Sequence, residues 1–78
     1  MGHIARHGVK PDEAEEVFQN EPIFRKGRSW FHTVYGCTGE GRYLFVVYVR
    51  KSGGVVRIIT ARQMTLAEKR YYRRQRGE

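Results

Sequence analysis

The sequence predicts an α+β fold with short N-terminal helices, a four-stranded antiparallel meander sheet and a C-terminal helix. Three observations predict it. An apolar stripe at helical spacing lies near the N-terminus, four segments rich in β-branched and aromatic residues follow it, and a helix-capping pattern precedes the basic C-terminal stretch. Seventy-eight residues suffice for one small domain, so residues 1–78 are expected to form a single domain.

Two short helices are predicted before the sheet. Residues 3–7 have a brief helical pattern that stops at Gly8, because glycine tolerates the left-handed conformation of a helix C-cap. Pro11 suits the first turn of the next helix. In that helix, apolar side chains recur at i, i+3 and i+4: Ala14, Val17 and Phe18. Its acidic side chains are then expected to face solvent or the basic half of the protein.

Four strands are predicted after Pro22, at residues 23–25, 30–35, 43–50 and 55–61. The glycine-rich connections GCTGEG and KSGG have the length of hairpin turns, so neighbouring strands should pair antiparallel. The run LFVVYV in the third strand is apolar at both sets of alternating positions, which is typical of a central strand covered on both faces.

A C-terminal helix is predicted to begin after Thr65. Thr65 and Glu68 have the spacing of a capping box, in which each side chain accepts a hydrogen bond from the backbone of the other. Ala67 and Tyr71 should face the sheet, which leaves Tyr72 as the more exposed tyrosine. The helices are expected to pack mainly on one face of the sheet.

Charge is distributed unevenly along the chain, whose net charge is +7. Residues 1–21 carry two basic and five acidic side chains, whereas residues 22–78 carry thirteen basic and three acidic ones. Eleven of the fifteen basic residues are arginine, whose planar guanidinium matches phosphate oxygens and stacks on bases. This balance favours a nucleic acid or an acidic protein as partner over a membrane.

The sequence also predicts a cytoplasmic protein. It contains no apolar run of the roughly 20 residues that a membrane helix needs, and its N-terminus lacks the apolar centre of a signal peptide. Cys37 is the single cysteine, which is typical of a reducing compartment. Its position between glycines favours an inert turn residue over a nucleophile.

Two stretches resemble a known family. ARHGVKPDEAEEVF (residues 5–18), and GRYLFVVYV with VRIITARQMTLAEKRYY (residues 41–72), are similar to the BrnT ribonuclease toxins of type II toxin–antitoxin systems, a branch of the RelE/ParE-like superfamily. The resemblance implies a cytosolic endoribonuclease that blocks translation. It also implies a BrnA-like ribbon-helix-helix antitoxin, with operator DNA bound only through the antitoxin complex.

Arginines near the last strand are the first candidates for catalysis. A small ribonuclease needs neither metal nor cofactor, because the RNA 2′-hydroxyl can attack the adjacent phosphorus if a base, a cation and an acid are in place. Arg62 matches the arginine of the family, and Arg57 is the second candidate for holding the phosphate. Regular strand alternation would put them on opposite faces, so sharing a site requires a bulge or a strand end. Either arginine could instead be structural.

Histidines are the candidates for proton transfer, since imidazole ordinarily exchanges protons near neutral pH. His32 in the second strand is the first candidate, and His7 beside the HGV motif is the second. Each could instead be an ordinary strand or helix-end histidine. Neither histidine has the spacing of a zinc site, so no metal is expected.

Further residues are predicted to contact RNA through charge or stacking. These are Lys26, Arg28, Tyr48, Arg70, Tyr72, Arg73 and Arg74. Two other interpretations remain open. The chain could bind nucleic acid without cutting it, or it could be an interaction protein that depends on a partner.

Overall fold

The computed structural model describes residues 8–28 and 30–77. The elements in chain order are α1 (Pro11–Val17), β1 (Ile23–Lys26), β2 (His32–Cys37), β3 (Tyr43–Arg50), β4 (Val56–Gln63) and α2 (Leu66–Gln75). A single turn of 3-10 helix, Ser52–Gly54, lies in the connection between β3 and β4. The helical segment predicted at residues 3–7 lies outside the described residues.

The four strands form one antiparallel sheet in the order β1-β2-β3-β4, which confirms the predicted meander. The bounds of three strands differ from the prediction: β1 ends one residue later, β2 begins and ends two residues later, and β4 begins one residue and ends two residues later. Trp30 and Phe31 precede β2, because the Phe31 N–H donates to the Arg28 carbonyl in a turn (3.2 Å). Arg62 lies within β4 and not beyond it, since the strand continues its pairing with β3 through Gln63.

The first face of the sheet is covered by α1. Ala14 and Val17 of this helix are fully buried against the sheet. Gly36 of β2 permits the close approach, because a Cβ atom there would lie only 2.8 Å from Cγ1 and from the carbonyl oxygen of Val17. The sheet residues of this core are Val34, Leu44, Val46, Tyr48 and Ala61.

The second face of the sheet is covered in part by α2. Tyr72 is fully buried there, together with Tyr35 and Met64. The expectation that the helices pack mainly on one face is therefore wrong for α1 and α2, which lie on opposite faces. The physical reason lies in β3, whose alternating residues are apolar on both faces, so that each face needs its own cover.

A β-bulge in β4 changes which side chains share a face. Tyr48 pairs with Ile58 and Val47 with Thr60, so Ile59 is the extra residue. Arg57, which precedes the bulge, lies opposite Val49. Arg62, which follows the bulge, lies opposite Phe45.

Residues directly opposite each other point to the same side of a sheet, and Phe45 and Val49 are four positions apart in β3. Arg57 and Arg62 therefore share the second face, at a separation of about 13 Å along the strand. The bulge therefore meets the condition that the sequence set for a site shared by both arginines.

Candidate active site

A groove of about 440 Å³ opens on the first face of the sheet, beside Phe18 at the C-terminal end of α1. Two aromatic residues and a valine form its apolar walls, and three cationic residues border it. Its lining residues are Phe18, Phe24, Arg25, Lys26, His32, Tyr48, Arg50 and Val56. None of these described lining residues is acidic, so the groove suits an anionic ligand that also has an apolar part.

His32 and Tyr48 form the floor of the groove. They lie directly opposite each other in β2 and β3, and their rings stack at 5.5 Å between centroids with 28° between planes. Phe18 of the α1 C-cap meets Tyr48 edge-on at 5.2 Å. Burial raises the pKa of the Tyr48 hydroxyl, against a smaller opposing effect of the Arg50 cation. Tyr48 is therefore a neutral phenol at physiological pH, and His32 is the group of this floor suited to proton transfer.

Cationic side chains flank the floor on both sides. Lys26 pairs with His32 across β1 and β2, and Arg50 pairs with Val56 across β3 and β4. Both side chains are exposed, so they can meet a ligand without displacing other groups from the core. The groove thus combines an imidazole, a stacking surface and positive charge within a few strand positions.

Arg62 is held by several contacts on the second face. Its two terminal nitrogens lie 2.8 Å from the two carboxylate oxygens of Glu68, and one of them also donates to the Gln63 carbonyl (3.2 Å). The guanidinium carbon lies 4.4 Å from the centre of the Phe45 ring. The hydrogen bond that Arg62 donates to the Glu68 carboxylate is the main cause of the raised pKa of Arg62. Its guanidinium is already neutralised by a carboxylate.

A cation–aromatic row extends from Arg62 across the second face. Phe45 packs on Tyr35 at 5.1 Å, Tyr35 packs on Tyr71 at 5.1 Å, and Arg25 lies 4.9 Å from the centre of the Tyr71 ring. This row joins β1, β2, β3 and β4 to α2, so it serves to fix the helix on the sheet.

The candidate catalytic residues fall into separate places. His32 lies on the first face in the groove, whereas Arg57 and Arg62 lie on the second face. Arg57 is exposed and follows Val56, a groove residue, so it lies at the same end of the sheet as the groove. Arg62 lies toward the opposite end, near Phe45. His7 lies outside the described residues.

The residues predicted to contact RNA differ in accessibility. Lys26 and Tyr48 line the groove, and Arg28 is exposed in the loop that follows β1. The exposed arginines of α2 are Arg70, Arg73 and Arg74.

The prediction that Tyr72 is exposed is wrong, because Tyr72 has no exposed surface and Tyr71 is the half-buried one. The Tyr72 hydroxyl donates to the Glu21 carbonyl at 3.0 Å, and its ring meets Tyr43 edge-on at 5.8 Å. Burial raises the pKa of this hydroxyl to about 12. Tyr72 is a core residue that ties α2 to the segment before β1.

Several groove residues were not predicted from the sequence. Arg50 could have been found, since it follows Tyr48 by two positions and therefore shares its face. Phe18, Phe24 and Val56 come together from α1, β1 and β4, and no local pattern signals that meeting. Among residues 8–28 and 30–77, no group of three or more histidine, cysteine or carboxylate side chains is arranged to hold a metal ion.

The structure is therefore that of a small α+β protein with a groove bordered by cationic side chains. The comparison with known families is more specific. A family profile described as "Ribonuclease toxin, BrnT, of type II toxin-antitoxin system" matches residues 1–68. The chain belongs to this BrnT toxin family, which confirms the resemblance found in the sequence.

Membership in a type II toxin family implies an antitoxin partner and an RNA substrate. No curated protein and no solved structure matches the chain. Within the described parts of the chain, no helix is long and apolar enough to cross a membrane.

Proposed function

We propose that this chain, as one toxin domain of RelE/ParE-like fold over residues 1–78, is a metal-independent RNA endonuclease that inhibits translation in the cytoplasm. The family match over residues 1–68 supports the ribonuclease class, and the four-stranded meander is compatible with the fold assignment. The observation that carries the proposed mechanism is the groove, in which His32 stacks on Tyr48 beside Lys26.

In the proposed reaction, the 2′-oxygen of one nucleotide attacks the adjacent phosphorus and the bond from phosphorus to the 5′-oxygen breaks. His32 accepts the proton of the 2′-hydroxyl. Lys26 and Arg50 stabilise the negative charge that develops on the phosphorane. The departing 5′-oxygen takes its proton from solvent, so the products are a 2′,3′-cyclic phosphate and a 5′-hydroxyl. His7 is the alternative base.

The other cations are proposed to hold the RNA backbone. Arg57 is the stronger of the two β4 candidates, because it is exposed at the groove end of the sheet. Arg62 would have to exchange Glu68 for a phosphate before it could act on RNA. Arg28 and the exposed arginines of α2 would add affinity that falls as salt rises.

The partner is proposed to be a ribbon-helix-helix antitoxin that silences the toxin and carries the complex to its operator DNA. The exposed, strongly basic outer side of α2 fits an acidic antitoxin segment by charge. We also propose that the RNA substrate is associated with the ribosome when it is cut.

A test of this proposal measures cleavage of RNA by the purified protein in the presence of EDTA. His32→Gln keeps a polar side chain but removes proton transfer, and should lower the cleavage rate about 100-fold or more. Lys26→Ala should also lower the rate. Lys51→Ala, which removes an exposed cation that does not line the groove, is the matched control and should cut normally.

The expected products carry a 2′,3′-cyclic phosphate, and protein synthesis in a cell-free system should stop when the toxin is added. If His32→Gln cleaves RNA at the wild-type rate, another residue is the general base, and His7 is the next candidate. Intact RNA after long incubation, with and without ribosomes, would favour the alternative function of a non-catalytic nucleic-acid-binding module. The separation of His32 from Arg62 on opposite faces is the observation that favours this alternative.

A further inference from the structure

Trp30 is the only tryptophan of the chain and is 65% exposed. It lies in the connection between β1 and β2, immediately before the half-buried Phe31 and the groove residue His32. A large indole left in water forgoes burial energy that a small domain needs. Tryptophan is enriched at binding interfaces, where a partner can cover its ring.

The position of Trp30 is fixed by its neighbour. The Phe31 ring meets the indole edge-on at 5.1 Å with 76° between planes. Phe31 is itself held by a hydrogen bond from its N–H to the Arg28 carbonyl and lies against Gly27. Contacts within the turn therefore hold the indole in position before a ligand binds. A ligand that stacks on it does not have to order the side chain first.

The surroundings of Trp30 carry positive charge. Lys26 and Arg28 are both exposed within four residues of it, and the sequence contains no acidic residue between Glu21 and Glu40. Lys26 also pairs with His32, so the cations continue from the turn to the floor of the groove. Aromatic rings between arginines and lysines are typical of surfaces that bind single-stranded nucleic acid.

Charge distinguishes a base-stacking tryptophan from one at a protein–protein interface. A hot-spot tryptophan usually lies in the core of such an interface, where lysine is depleted although arginine is enriched. Lys26 and Arg28, which precede Trp30 in the chain, are both exposed, and such cations suit phosphates on either side of a stacked base. The chemistry around the indole therefore favours RNA over the antitoxin.

We propose that Trp30 stacks on an unpaired base of the RNA next to the linkage held in the groove, which makes the protein selective for single-stranded RNA. This inference rests on the proposed function for the position of the linkage. Stacking requires an open face of the base, which a base inside a duplex does not offer. The single indole makes the contact measurable, because all tryptophan emission comes from Trp30.

The experiment uses a 2′-O-methyl RNA oligonucleotide, which lacks the attacking hydroxyl and cannot be cut whichever residue is the base. Titration of the wild-type protein with the single strand should quench the emission of Trp30. The same strand in a duplex, the same strand with abasic positions, and inorganic polyphosphate should each quench it much less, because none of them offers a free base.

Variants separate stacking from charge. Trp30→Ala should weaken binding of a labelled single strand roughly 5- to 150-fold, the range expected for loss of one stacked base. Trp30→Phe should recover part of this loss. Leu66→Ala is the matched control, since Leu66 is also 65% exposed but begins α2, and it should bind normally.

Three outcomes would overturn the inference. Equal quenching by polyphosphate would assign the signal to charge alone, and unchanged binding by Trp30→Ala would remove the indole from the site. Weaker antitoxin binding by Trp30→Ala, with RNA binding intact, would assign Trp30 to a protein interface. Quenching by the single strand without any cleavage of natural RNA would retain this inference and overturn the proposed catalysis.

Discussion

At the scale of residues, Glu68 has two roles that constrain Arg62. Its carboxylate accepts the Thr65 N–H at 2.9 Å while the Thr65 hydroxyl accepts the Glu68 N–H at 3.2 Å, which completes the capping box of α2. The same carboxylate pairs with the Arg62 guanidinium. Arg62 thus links β4 to the first turn of α2. The contacts of Arg62 therefore indicate a role in positioning that helix.

A double-mutant cycle tests this role of Arg62. Arg62→Ala should lower the free energy of unfolding by about 1–2 kcal/mol, from a half-exposed ion pair, a cation–ring contact and packing of the stem. Glu68→Gln keeps an acceptor for the cap and should cost less, about 0.5–1 kcal/mol. The double variant should be little worse than Arg62→Ala, as measured by urea unfolding.

Arg57→Ala is the control for this cycle, because Arg57 is an exposed arginine of the same strand and face. It should change stability by no more than about 0.5 kcal/mol. RNA cleavage by folded Arg62→Ala should stay within about tenfold of the wild type if the groove is the site. Complete loss of cleavage with an intact fold would assign Arg62 a direct part in the reaction.

At the scale of elements, the contact between α1 and β2 depends on a missing side chain. Gly36 is buried in β2 directly beneath Val17, and the close atoms include the Val17 carbonyl oxygen and Cα, which belong to the backbone. A helix backbone yields less readily than a side-chain end. The distance between α1 and the sheet, and with it the position of Phe18 over the groove, is therefore set at Gly36.

Gly36→Ala should lower the free energy of unfolding by about 1–3 kcal/mol, because the added methyl group overpacks the contact with α1. Gly39→Ala is the matched control, since its added Cβ would find only Glu16 Oε1 at 3.6 Å, an ordinary contact. Urea unfolding of both variants measures the difference. A Gly36→Ala variant as stable as Gly39→Ala would show that α1 is not held at this distance.

At the scale of the whole molecule, each helix carries one carboxylate that pairs with an arginine in or next to the sheet. Glu13 of α1 lies 2.8 and 2.9 Å from a terminal nitrogen of Arg42, next to β3. The Lys10 backbone N–H is the main cause of the lowered pKa of Glu13, with Arg42 adding to it. The Arg62 guanidinium is the main cause of the lowered pKa of Glu68. Each helix thus has a charged contact that requires an ionised carboxylate.

The pH dependence of stability follows from the sign of these shifts. Both carboxyls have a pKa below their ordinary value of 4.5, so their ionised forms favour the folded state. Their contribution is complete above pH 4.5 or so and is lost as the pH falls below it through the lowered pKa values. Urea midpoints measured from pH 7 to pH 3 should therefore fall most steeply in the acid range.

The variant Glu13→Gln/Glu68→Gln should have a flatter profile in that range, because neither side chain titrates. Glu15→Gln, which changes an exposed carboxylate of the same helix α1, is the control and should keep the slope of the wild type. Identical profiles for the double variant and the wild type would mean that other groups govern acid unfolding.

Local patterns in the sequence were enough for the elements and their order. The alternation in LFVVYV, the glycine-rich connections and the T-x-x-E cap each depend on residues close in the chain, so they predicted β3, the hairpins and the start of α2 correctly. The prediction that Tyr72 is more exposed than Tyr71 was wrong. Two adjacent tyrosines in a short basic helix give no local signal of which one faces the sheet.

The sequence by itself determined an α+β meander, a basic surface and membership in a toxin family. Only the tertiary structure decided which side chains meet, because register and distant contacts set that. The bulge at Ile59 brings Arg57 and Arg62 to one face, and the Arg62–Glu68 pair occupies a guanidinium that the sequence presents as available. The groove around His32 exists because α1, β1 and β4 converge there, and their residues lie far apart in the chain.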